Sequence, residues 1–257
     1  MNGLKPKYRY VKRFLLSLIG RDHFTRTDCV VDYSINEDYY GAWPIVHNFF
    51  KNPPNIYSFG VGDNITWDLD AISYYKTKVY AFDPTPVCND WIKRQQLPEE
   101  FNFSKIGISD HNGEESFAAP TDDGHVSFKK NIFDDSMSFN FKVNTLDALM
   151  KKNNHHSIDI LKMDIEGFEY NVIDDILNKS IFPSILLVEF HHRFNGFGIK
   201  KTINAINKLK LAQYSIFYVS NNGEEIGFIQ KKLPFIIQRP IPNGTFEYWN
   251  IKDLEII

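Results

Sequence analysis

Two short stretches gather the residue types that can do chemistry. LKMDIEGFEY (161–170) places Asp164 after an apolar run and follows it with Glu166, Gly167 and Glu169; VEFHH (188–192) places Glu189, His191 and His192 at the end of another. Carboxylates and imidazoles can take a proton from a hydroxyl or hold a divalent cation. In an extended VEFHH, side chains alternate, so Glu189 and His191 share one side and Phe190 and His192 the other. His191 or Asp164 is therefore the expected catalytic base. Asp164, Glu189 and His191 also make a possible cation site, which is not favoured because hydrogen bonding in a metal-free pocket explains the same residues. Glu169 falls in the first turn of the next helix, where a carboxylate suits the helix dipole, and reads as structural.

A third stretch, IYSFGVGDN (56–64), breaks from a β-branched and aromatic run into two glycines one residue apart. Gly60 and Gly62 would let backbone approach a nucleotide at a strand end, although a tight turn alone also calls for glycine. Asp83, in AFDPTP, stands where an acid bonds ribose hydroxyls, roughly 20 residues on. A pyrophosphate would want a third glycine, and here that position is Ile65. Asp63 would repel a pyrophosphate but suits a cationic sulfonium and an amino group. The turn thus favours S-adenosylmethionine over a nicotinamide dinucleotide.

These residues need a scaffold, and the apolar pattern supplies one. Short apolar runs at 56–59, 79–83, 103–108, 158–164 and 185–191 alternate with helical patterns around 67–76, 168–177 and in TINAINKLK. YSIFYVS and IGFIQKK flank NNGEE as a hairpin. The expected fold is α/β, a doubly wound, mostly parallel Rossmann-like sheet with a C-terminal antiparallel hairpin. Residues 1–45 read as a basic helical cap and 46–257 as the donor-binding domain, with a loop or hairpin insertion at about 113–145.

At 257 residues and 43% apolar content the chain can bury a full core without staples. Cys29 and Cys88 match no zinc spacing and fit a reducing compartment. A net charge of -3 gives no reason to expect nucleic-acid binding. FLLSLI (14–19) is too short for a membrane span, so the expectation is a cytoplasmic protein whose N-terminal helix packs its apolar side on the body, with a membrane-surface or acidic-partner role as the alternative.

Taken together, YGAW (40–43), YSFGVGDNITWD (57–68), FDPTP (82–86), NTLDAL (144–149), LKMDIEGFEY and VEFHH resemble the FkbM-type, class I S-adenosylmethionine-dependent methyltransferases across most of residues 40–230. The resemblance implies O-methylation of a small-molecule hydroxyl, a sugar or nucleotide-sugar above all. The expected donor contacts are Gly60, Gly62, Asp63, Asp83, Ile108, Asp164 and Glu166. Loops at the carboxyl edge carry substrate selection, so the 113–145 insertion, Tyr39, Tyr40 and Trp43, with His192, are expected to border the acceptor, although Trp43 plugging the core reads equally well. One position departs from the pattern. Ser58 stands where many class I enzymes carry an acid two residues before the first glycine, which leaves Asp63 or Glu166 for the methionine amino group. An NAD(P)-dependent oxidoreductase or a non-catalytic scaffold would share the sheet and Asp83.

Overall fold

A computed structural model describes residues 4–35, 43–119, 128–131, 138–194, 196–231, 236–240 and 246–250. Helix α1 (Leu4–Leu18) and an antiparallel pair, β1 (Tyr33–Ile35) and β2 (Pro44–Val46), precede the main sheet. The first half of that sheet comprises β3 (Ile56–Phe59), α2 (Thr66–Tyr75), β4 (Val79–Phe82), α3 (Pro86–Ile92) and β5 (Phe101–Ser104). A small sheet follows, from β6 (Gly107–Ile108), β7 (Gly113–Ala118), β8 (Lys129–Lys130) and β9 (Ser138–Asn144). The chain then returns through α4 (Leu146–Lys152), β10 (Ile160–Met163), α5 (Glu169–Asn178), β11 (Ile185–Glu189), α6 (Ile199–Leu211), β12 (Tyr214–Val219) and β13 (Glu225–Gln230). Strands β14 (Ile236–Pro240) and β15 (Phe246–Asn250) form a separate antiparallel pair.

The fold is mixed α/β on a seven-stranded mixed sheet of order β12-β13-β11-β10-β3-β4-β5. Strands β5, β4, β3, β10 and β11 pair in parallel, whereas β13 runs antiparallel to both β11 and β12. Strand order reverses between β3 and β10. Loops leaving these two neighbours at their carboxyl ends depart to opposite sides and open a crevice where ligands bind in sheets of this kind.

The central strands are buried on both faces, as parallel strands covered by helices must be. Tyr57, Phe59, Leu161 and Met163 pack with residues of α4, α5 and α6. Ile56, Ile160 and Ile185 pack on the other side with residues of α2, α3 and β2. Each large side chain so buried contributes about 1.5–3 kcal/mol. Local signals fix the helix that follows Asp83: Thr85 Oγ1 accepts from the Cys88 N–H at 3.3 Å, and Pro86 takes the first helical position, where its missing N–H costs nothing.

Three expectations change. FSKIGI is not one strand: β5 ends at Ser104 on the edge of the large sheet, and β6 belongs to the small one. Gly107 permits this break, since a Cβ there would come within 3.1 Å of Val143 and 3.2 Å of Pro84. The insertion is a sheet rather than a simple hairpin, with β9 pairing with both β6 and β7. Helix α1 turns its apolar side outward, with Tyr8, Val11, Leu15 and Leu18 all exposed. It is fastened instead by Arg13, which is buried and donates to the carbonyl oxygens of Ser220 and His23.

Candidate functional site

A cavity of about 1090 Å³ opens at the carboxyl ends of β3, β4, β10 and β11, at the strand-order reversal. The glycine turn leaves β3 directly into it. Gly60 and Gly62 both have positive φ, +81° and +57°, but for different reasons. A Cβ on Gly60 would stand 1.5 Å from the Asp164 carbonyl oxygen, so that glycine is required by the close approach of the chain leaving β10. Gly60 is thus explained without any ligand. A Cβ on Gly62 would meet nothing within 4 Å, and Gly62 lines the cavity.

Asp83 ties the turn to the next strand. The Gly62 N–H donates to its Oδ2 at 3.0 Å, while the Thr85 N–H and Oγ1 donate to its Oδ1 at 2.9 and 2.6 Å. Burial pushes the Asp83 carboxyl above its usual range, and these hydrogen bonds oppose that shift. Oδ1 already accepts two hydrogen bonds, so the acceptor Asp83 turns to the cavity it lines is Oδ2. Asp63, exposed, and Ile108, buried, line the same space.

Across the crevice, Asp164, Glu166 and Glu189 line the opposite wall. Behind them lies His191, only 5% exposed and not part of the wall. Its Nδ1 is 2.7 Å from Glu169 Oε1, and Glu169 is itself fully buried, accepting from the N–H groups of Ile165 and Gly167. Glu169 therefore braces the DIEGFE turn and clamps the imidazole. The Nε2 atom faces the three wall carboxylates, at 3.5 Å from Glu166, 3.7 Å from Asp164 and 3.9 Å from Glu189.

Burial alone would lower the His191 pKa, but Glu169, Glu166 and Glu189 outweigh it and hold it well above 6.5. Glu189 is displaced too: burial, then the charge of Asp164, push its carboxyl well above the usual carboxylate range. For a cation, the ligand atoms that approach one another are those of Asp164, Glu166 and His191, all within 4.8 Å. Glu189, expected in that set, falls outside it and Glu166 takes its place.

The sequence reading missed a second polar group. Ser58 on β3 pairs with Lys162 on β10, both on the sheet face that α2 covers, and α2 supplies Asp68. Asp68 and Lys162 are buried yet line the cavity. Lys162 Nζ donates to the Gly60 carbonyl at 3.4 Å and stands 5.3 Å from the Trp43 ring. Ser58 Oγ and Asp68 Oδ1 are buried without a hydrogen-bond partner among the described residues. The helix that covers this face thus brings a buried carboxyl to the side of the sheet that carries Ser58. Its sequence signal was a carboxylate inside the apolar run TWDLDAI.

The expected acceptor residues separate. Trp43 is buried in the core and touches the cavity from there. His192 is buried away from the cavity wall, its Nε2 3.0 Å from Asp22 Oδ1. Tyr39 and Tyr40 lie outside the described residues. Phe117 and Phe128 bring the insertion to the cavity. Cys29 and Cys88 are both free thiols.

Comparison with known proteins adds three likenesses. The family model described as "Methyltransferase FkbM domain" matches residues 60–216. A human protein, "Probable methyltransferase-like protein 24", is 21% identical over 164 residues, covering 63% of this chain and 39% of that protein. The crystal structure of methyltransferase FkbM from Methylobacillus flagellatus KT is similar with a TM-score of 0.44 at 13% identity, over 68% of this chain and 43% of that one. The chain therefore spans about two fifths of the length of each of these two proteins.

Proposed function

The chain belongs to the methyltransferase FkbM domain family, and from that premise we propose that it is an S-adenosylmethionine-dependent O-methyltransferase acting on a small-molecule hydroxyl, with sugars and nucleotide-sugars as the acceptor class. The observation that carries this reading is the convergence, at one strand-order reversal, of the Gly62 turn, Asp83 and a wall of carboxylates. The five parallel strands with helices on both faces support placing the sheet in the doubly wound, class I type. The acceptor class rests on the family resemblance alone.

The residues present fit the donor. Asp83 offers an acceptor to ribose hydroxyls beside a glycine with open space above it. Asp68 and Lys162 line the cavity from buried positions, an acceptor for the ammonium and a donor for the carboxylate of an amino acid. Asp164 and Glu166 present negative charge to a sulfonium. When bound, the donor supplies an electrophilic methyl group on sulfur.

The chain's own task is orientation and proton removal. An aliphatic hydroxyl does not ionise unaided at neutral pH. Asp164 is the wall carboxylate placed to take its proton as the O–CH₃ bond forms and the S–CH₃ bond breaks. His191, clamped by Glu169, then steadies the carboxylate cluster from behind rather than acting as the base itself. A cation held by Asp164, Glu166 and His191 is the second reading, favoured by the clustering of their ligand atoms.

The test is to incubate the protein with methyl-labelled donor and a panel of sugars and nucleotide-sugars, before and after exhaustive chelation. Labelled methyl ether formed without metal supports the carboxylate reading. Activity that is lost on chelation and restored by Mg²⁺ or Mn²⁺ selects the cation. Absence of donor binding in calorimetry overturns the function.

A further inference from the structure

Residues 1–26 carry seven lysines and arginines against the single acid Asp22, a local charge of +6 in a chain of net charge -3, so the remaining 231 residues carry -9. Asp22 is buried and engaged by His192 and Arg193, which leaves little negative charge at the surface of this segment. At 100° per residue, Tyr8, Val11, Leu15 and Leu18 of α1 fall within about an 80° arc. All four are more than half exposed, as is Ile19 just beyond the helix. Arg13, on the opposite side of the helix, is the residue buried against the body. The helix is thus held by a polar anchor and offers its apolar stripe to the surroundings.

We propose that α1 is a membrane-surface element that seats this stripe among the headgroups of an anionic lipid bilayer. A basic helix with an exposed aliphatic and aromatic stripe is complementary to such a surface in both charge and polarity. At 15 residues it lies on the bilayer rather than crossing it, and no described helix is long and apolar enough to cross a membrane. The acidic remainder of the chain is repelled by the same lipids, so the basic segment sets the docked orientation. The orientation bears on the cavity. Arg13 is anchored on Ser220 and packs against Gly223, in the β12–β13 turn whose Asn222 lines the cavity. Docking therefore holds that side of the cavity at the lipid surface.

The experiment is vesicle flotation of the full chain with phosphatidylcholine alone and with phosphatidylcholine enriched in phosphatidylserine, at low and high salt. The expected result is flotation only with the anionic vesicles, weakened by salt and reduced at least tenfold in the double variant Leu15→Glu/Leu18→Glu. Donor binding and thermal midpoint, followed in the same samples, should be unchanged, which separates this failure from failure of the proposed activity. Equal flotation of the variant, or none of the unaltered protein, overturns the proposal. So does light scattering in which the unaltered protein is a dimer and the variant a monomer, because the stripe would then be a contact between two copies. A second variant, Lys12→Glu/Arg21→Glu, keeps the stripe and removes charge. Unchanged flotation of that variant also overturns the anionic-lipid assignment.

Discussion

Burial and the neighbouring Asp164 raise the Glu189 carboxyl above its usual range. Because burial disfavours its charged form, Glu189→Gln should cost little stability at pH 7 in chemical denaturation, whereas Asp164→Asn should lower turnover about 10²- to 10⁴-fold and also weaken donor binding. His191 yields a pH prediction. Its folded pKa lies well above an unfolded value of about 6.5, so its contribution to stability is fully present below pH 6.5 and is lost as the pH rises through the folded value. The difference in unfolding free energy between the unaltered protein and His191→Gln should accordingly be largest in mild acid and shrink toward alkaline pH. A gap that widens with pH would mean that the ring is neutral in the folded protein. Asp83→Ala should weaken S-adenosylmethionine binding by about 1–3 kcal/mol in calorimetry. It should also lower the melting temperature, because the Gly62 and Thr85 N–H groups lose their acceptor.

The glycine turn shows how one element serves two demands. Gly60→Ala would drive a methyl group into the Asp164 carbonyl, and backbone cannot yield there without parting β3 from β10. Gly62→Ala meets open space and bears only the conformational cost of a left-handed residue, about 1–2 kcal/mol. Urea unfolding should therefore rank Gly60→Ala as clearly the more damaging, while Gly62→Ala should chiefly affect donor binding. The insertion likewise gains its role as an element. Its sheet carries Phe117 and Phe128 to the cavity and packs Phe117 on Phe168, the residue just before α5.

On the scale of the whole molecule, a ligand that binds only the folded chain stabilises it by mass action, by about 2.7 kcal/mol at a hundredfold excess over Kd. S-adenosylmethionine should raise the melting temperature accordingly and NAD should not. Equal shifts with the two would sink the donor assignment. The charge division between a basic first segment and an acidic remainder is a property of the entire chain, visible in composition. Its pairing with an exposed stripe is not visible there, because amphipathic spacing reads the same whether the apolar side faces in or out.

The sequence by itself determined what local chemistry can encode. Strand β3 is recovered residue for residue in IYSF, α2 and α6 fall where their periodicity puts them, and the β12–β13 hairpin lies where two strand-like runs flank NNGEE. Gly60, Gly62, Asp63, Asp83, Asp164 and Glu166 all came from motifs at strand ends, and the fold brings all six to the cavity. Only the tertiary structure decided how residues distant in the chain share one environment. Glu169 looked like a dipole partner and is the clamp of His191, because the β11 end crosses the DIEGFE turn. His191 gains a buried, clamped environment because Asp164 and Glu166 after β10, Glu169 of α5 and Glu189 of β11 surround it. Asp68 comes to the cavity with Lys162 because α2 lies over the face of β3 and β10 that carries Ser58 and Lys162. Burial and charge proximity fix a protonation state, and both depend on contacts between segments that no short stretch of sequence contains.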